Sequence, residues 1–113
     1  MNALRNKVQL IGNLGMNPEI KIVNGGKKLA KMSIATNESY RNANGELIQE
    51  TQWHSLIAWG KTVDIIEKNF KKGSEVSIEG KLIKRNYTDK QGLKRYVTEI
   101  HISDFLMHTA NNA

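Results

Sequence analysis

Glu50 to Lys61 reads ETQWHSLIAWGK. Taking every second residue separates two faces. Trp53, Ser55, Ile57 and Trp59 fall on one, and Gln52, His54, Leu56 and Ala58 on the other. A strand has a side-chain period of two, so both tryptophans of the chain stand on the same side of one sheet. Six positions separate them, roughly 20 Å at strand rise. Two core tryptophans would be the bland explanation. A basic chain with further aromatics beside positive residues favours two separate base-stacking platforms instead.

Alternation spreads outward from this strand. Upstream, Lys28 to Ser39 groups Ala30, Met32, Ile34 and Thr36, and Asn6 to Leu14 groups Val8 and Leu10. Gly12 and Gly15 interrupt the latter, as a bulge or a sharp barrel corner does. Glu19 to Val23 is a short extension before the hairpin signal Asn24-Gly25-Gly26. Tyr40 to Gln49 holds Asn44-Gly45 and reads as a long hairpin loop.

Downstream the period changes. Val63, Ile66 and Phe70 follow helical spacing. Thr62 is the expected N-cap and Gly73 the expected C′ stop. Ser74 to Tyr87 and Lys94 to Met107 return to alternation around a second hairpin loop, Thr88 to Leu93. Phe70 and Phe105 are expected in the core, and Tyr96 in core or loop packing.

The expected order is three strands, one helix, two strands. Five strands that must hide their edges fit an all-β, five-stranded, partly open Greek-key barrel of the OB-fold type, with one α-helix between the third and fourth strands. Residues 1–107 form this domain, and the polar residues 108–113 are expected to fray.

The chain has 113 residues, enough for one core. Seventeen Lys and Arg against eleven Asp and Glu leave a formal charge of +6. Such an excess speaks of anionic partners rather than of fold. The sequence lacks an apolar run of membrane-spanning length and a secretory signal, so a cytoplasmic place and no membrane partner are expected. Without cysteine there are neither disulfides nor thiolate ligands. No metal or other cofactor is expected, because His54, His101 and His108 lack the spacing of a zinc site. No enzymatic activity is expected either. GNLGMN lacks the P-loop lysine, the serines sit in no nucleophile elbow, and the acids form no cluster.

A sequence-tolerant binder of single strands needs flat side chains for bases and a positive track for phosphates. Tyr40 and Tyr87 stand at the bases of the two long loops, with Trp53 and Trp59 between them in the chain. Arg41 follows Tyr40, Lys61 lies two residues after Trp59, and Arg85 shares the face of Tyr87. The segment 81–95 carries Lys81, Lys84, Arg85, Lys90, Lys94 and Arg95 against the single acid Asp89.

NKVQLIGNLG, NPEIK, LAKMSIATNESYR, ETQWHSLIAWGK, KKGSEVSIEGKL and RNYTDKQGLKRYVTEI together resemble the bacterial single-stranded DNA-binding protein (SSB) family, from about Asn6 to Met107. The resemblance implies an OB-fold protomer of a homotetramer. Such a protein binds single-stranded DNA without sequence preference in replication, recombination and repair, in a nucleoid-associated setting. It places base stacking on Tyr40, Trp53, Trp59 and Tyr87, phosphate contacts on Lys7, Lys21, Arg41, Lys61, Lys72 and Arg85, and His54 at a subunit interface. Tyr40 and Tyr87 stand where tryptophan is common in the family, and Trp59 where phenylalanine is common. Ile83 and Asn86 replace positions that are often basic. The family's acidic C-terminal tip is not among these residues, so tail-mediated recruitment of replication proteins is not expected of them. The competing readings are a primosome-type or RNA-binding OB-fold dimer, and an OB-fold protein-interaction scaffold.

Overall fold

The computed structural model describes residues 3–108. A 3-10 turn at Ala3–Asn6 leads into β1 (Val8–Leu14) and β2 (Glu19–Val23). The long strands β3 (Lys27–Arg41) and β4 (Leu47–Trp59) follow, then α1 (Lys61–Asn69), β5 (Glu75–Thr88) and β6 (Lys94–Met107). Neighbouring strands run β1-β5-β6-β4-β3, and a β1–β3 pairing at Asn13↔Ala35 and Leu14↔Ile34 closes the ring. The expected all-β, five-stranded OB barrel is therefore the fold, with its helix between the third and fourth long barrel strands. β2 extends the same strand path. It pairs with Lys27–Lys31 of β3, on the edge that β1 leaves after Ile34. Gly15–Pro18 is the jog between the two halves.

Closure brings backbones close at small residues. A Cβ on Gly12 would collide with the carbonyl of Ala35, and one on Gly80 with the carbonyl of His101. Gly80 sits at the register shift of the β5–β6 ladder. Each glycine thus marks a point where the sheet turns a corner that a larger residue would block.

Alternating inward residues fill the barrel. Met32, Ile34, Leu56, Val76 and Ile78 are all but inaccessible, and α1 adds Val63 and Ile66 from below. Phe70 meets Phe105 edge-on, with ring centroids 5.0 Å apart. Each such side chain contributes about 1.5–3 kcal/mol relative to leaving it in water.

Some local expectations change. The helix begins one residue after Gly60, whose φ of 72° and ψ of −140° swing the chain out of β4. Gly60 is therefore the N-cap, and Thr62 lies inside the helix. The helix ends at Asn69, because Phe70 leaves with extended geometry to reach the core. Gly73 turns the chain later, at φ 91°.

The long loop expected at Tyr40–Gln49 is instead strand on both sides. The β3–β4 ladder continues to Arg41↔Leu47. The tip is tight because the Asn42 side chain accepts from the N–H groups of Asn44 and Glu46. The second loop lies where it is expected: β5 and β6 pair out to Thr88↔Lys94, and the Asp89 carboxylate accepts from the N–H groups of Gln91 and Leu93. Two hairpin arms thus project from the barrel.

No helix among the described residues is long and apolar enough to cross a membrane. The tail expected at 108–113 lies outside the described residues except for His108, whose backbone N–H donates to the Glu75 carbonyl.

Candidate nucleic-acid interface

Register decides which side chains share a face. Trp59 is paired with Leu29, Ile57 with Lys31, Ser55 with Ser33 and Trp53 with Ala35. These residues alternate with core residues, so they form the outer surface of β3 and β4. β6 runs parallel beside β4 with His101 opposite Ile57. Glu99 therefore shares that outer surface. On β5, Ile83 is opposite Glu99, Arg85 opposite Val97 and Tyr87 opposite Arg95. One continuous outer face thus carries Trp53 and Trp59 at its centre and Arg85 and Tyr87 along the arm.

Both tryptophans are open on this face, with Trp53 61% and Trp59 42% exposed. Neither is a core residue. The indole of Trp53 lies against Gly15, at the jog between β1 and β2. Trp59 has the Lys27 ammonium 5.9 Å from its ring centroid, within cation–π range. Nothing in the sequence alone singles out Lys27. It stands in the same alternation as Leu29, and only the β3–β4 register brings it beside Trp59.

The two tyrosines differ. Tyr87 is exposed and on the tryptophan face. Tyr40 is exposed too, but it pairs with Ile48 and alternates with Thr36, on the opposite face of its arm. Tyr96 is 74% exposed, contrary to the core or loop packing expected of it. Its alternation with Thr98 and Ile100 is real. At Tyr96, however, the arm has left the barrel and no described residue covers that face.

Among the expected cations, Lys21 is opposite Leu29 and Arg41 opposite Leu47, both in the outward alternation of the tryptophans. Arg41 also donates from Nη1 to the Gly45 carbonyl, 2.9 Å away. Lys72 sits in the turn after α1, where its backbone N–H donates to the Asn17 side chain beside the Gly15 jog. Lys61 opens the helix just past Trp59. Lys7 approaches Glu79 at 3.6 Å between two partly exposed side chains, so this pair holds Lys7 weakly.

Arg85 is held otherwise. Its Nε donates to Glu99 Oε1 at 3.0 Å and its Nη2 to Oε2 at 2.9 Å, a bidentate pair. Glu99 is 5% exposed and is the buried charged residue among those described. Hydrogen bonds from Arg85 hold its carboxyl below the usual range, against the upward push of burial. His101 Nε2 lies 3.4 Å from the same carboxylate. Glu99 carries no signal in the sequence, since an acid inside a positive arm shows no sign of a buried partner until the β5–β6 register is known.

His54 is half-buried, and its Nε2 lies 3.1 Å from Thr36 Oγ1. Among the described residues no three His, Cys, Asp or Glu side chains gather as metal ligands would.

A sequence model described as the single-strand binding protein family matches residues 5–108. "Single-stranded DNA-binding protein 1" of Chlorobaculum tepidum is 41% identical over 109 residues, 96% of this chain and 67% of that protein. Its namesake in Xylella fastidiosa is 40% identical over 103 residues, 90% of this chain and 76% of that protein. Among solved structures, a Plasmodium falciparum SSB in complex with ssDNA superposes with a TM-score of 0.86 at 38% identity, covering 96% of this chain and 99% of that one. A deletion mutant of the Thermus aquaticus single-stranded DNA-binding protein, 21% identical, shares the fold with a TM-score of 0.82 over 94% of this chain and 51% of that one.

Proposed function

Because the chain belongs to the single-strand binding protein family, we propose that its outer face is where it binds single-stranded DNA, by stacking bases and neutralising phosphates. The family is one of DNA-binding proteins rather than enzymes. The observation that carries the site is the pair Trp53 and Trp59, exposed on one side of β4. An exposed indole stacks on any base, at about 1–3 kcal/mol per base. Tyr87 continues this surface along the β5–β6 arm, and Tyr40 serves a strand that passes around the β3–β4 arm. Lys7, Lys21, Arg41, Lys61 and Lys72 provide the phosphate track. Arg85 stands apart, because Glu99 neutralises it.

The assembly is a homotetramer, as the family resemblance implies, with His54 at a subunit contact. Support for self-association comes from the exposed apolar residues Ile11 and Leu106, which flank Ser77 across the β1–β5–β6 ladder. The protein acts where single strands arise in replication, recombination and repair, in the nucleoid-associated cytoplasm.

Fluorescence anisotropy of labelled oligo-dT, competed in turn by dT, rU and duplex DNA of equal length, tests the reading. Competition by dT alone supports it. Equal or better competition by rU would favour an RNA-binding OB-fold module, and no binding of any strand would overturn the reading.

A further inference from the structure

The outer face is not flat beside Trp59. Leu29, Ile57, Trp59, Arg85, Glu99 and His101 line an open concavity of about 360 Å³. Trp59 gives it an aromatic wall and Leu29 and Ile57 an apolar one. Its polar side is the Arg85–Glu99 pair. That pair uses the side-on edge of the guanidinium, Nε together with Nη2. A guanidinium has five N–H donors in one plane, so the end-on edge of Nη1 and Nη2 retains a second fork. Nη1 has no protein partner among the described residues, and the Arg85 side chain is 55% exposed.

Two consequences follow from the chemistry. The pair carries no net charge, so it lacks the unpaired cation whose contact with a phosphate releases a counterion. A flat donor fork beside an indole is suited instead to the edge of a stacked base. Guanine offers two adjacent acceptors, O6 and N7. Adenine offers an acceptor beside a donor, thymine an acceptor beside a methyl group, and cytosine a donor. On these major-groove edges only guanine accepts both arms of the fork. An unpaired cytosine offers its adjacent O2 and N3 instead, and comparison with a 7-deaza base separates recognition of guanine N7 from that alternative.

We propose that the concavity beside Trp59 is a guanine-preferring base subsite, in which the base stacks on Trp59 and accepts at O6 and N7 from the end-on edge of Arg85. Glu99 is the positioning residue: it touches no base and locks the plane of the guanidinium. The subsite rests on the reading that a single strand crosses this face. It adds a local preference to binding that is elsewhere indifferent to sequence.

The test compares short dT oligomers with the same oligomers carrying one dG or one 7-deaza-dG, using the unmodified protein in competition anisotropy. A single dG is expected to improve binding roughly fivefold or more. The 7-deaza base, which lacks the N7 acceptor, should lose that gain. Arg85→Lys keeps the charge but not the fork, and should abolish the preference. Glu99→Gln should reduce it by releasing the guanidinium. Normal dT binding without a dG preference in the unmodified protein would overturn the subsite and leave the proposed function standing. Failure to bind any oligomer would overturn both. A fall of roughly 0.7 in the salt slope for Arg85→Gln would identify a phosphate contact and overturn the base-reading role.

Discussion

The indole of Trp53 occupies the space that a side chain on Gly15 would need: a Cβ there would collide with Cζ3 of the ring. Gly15 also donates its backbone N–H to the Ser33 carbonyl, 3.0 Å away, and so fixes the jog between β1 and β2 beneath the ring. The orientation of one proposed stacking platform thus depends on a residue outside the platform itself.

Gly15→Ala should therefore act on binding through Trp53. The added methyl must displace the ring, and tryptophan emission should shift. Single-strand affinity should fall by about 1 kcal/mol, the lower end of one stacking contribution. Paired fluorescence spectra and binding isotherms check this. An unchanged spectrum with unchanged affinity would mean that the ring does not rest on Gly15 in solution.

Trp53→Ala and Trp59→Ala should each weaken oligo-dT binding by about 1–3 kcal/mol and leave thermal stability nearly unaltered, because both rings are exposed. Isothermal titration beside calorimetric melting separates the two effects. A large loss of melting temperature would return the tryptophans to a packing role.

Ile66→Ala should do the reverse. Ile66 is fully buried where α1 closes the barrel. Removing its outer carbons costs about 2–5 kcal/mol of stability, measured by urea unfolding. Binding by the fraction that remains folded should be unaffected, and a specific loss of affinity would contradict the separation of core from site.

The Arg85–Glu99 pair predicts a pH dependence. The Glu99 carboxyl is held below its ordinary value in the folded protein, first by hydrogen bonds from Arg85. Its stabilising contribution is therefore fully present above the unfolded value, about 4.3. It is lost as the pH falls through the lower folded value. The urea midpoint should decline on acidification below about pH 4.3, and Glu99→Gln should flatten that decline. An equally steep decline in the variant would assign the acid sensitivity to other carboxylates.

Much of the fold was legible because its signals are local. Period-two alternation placed the β3, β4, β5 and β6 cores, and Val63, Ile66 and Phe70 announced the helix. What required coordinates was pairing. A carboxylate such as Glu99 becomes a partner only once β5 and β6 are in register, and the same is true of Lys27 beside Trp59. Turn chemistry was underestimated at Asn42, whose side chain tightens the β3–β4 tip and leaves strand where loop is expected. At Asp89 the turn falls at 89–93, within the loop expected there. Tyr96 misled because alternation gives a face but not whether the barrel still lies beneath it. The shared face of Trp53 and Trp59 was readable from one strand alone, since no partner is needed to establish it.

The most direct test of the account is a titration of intrinsic tryptophan fluorescence with oligo-dT and with duplex DNA of matched length, in moderate salt. Stacking on Trp53 and Trp59 predicts deep, saturable quenching by dT and little by duplex. Absence of quenching, with no binding detected by an independent label, would contradict the claim that this face of β4 is a platform for single-stranded DNA.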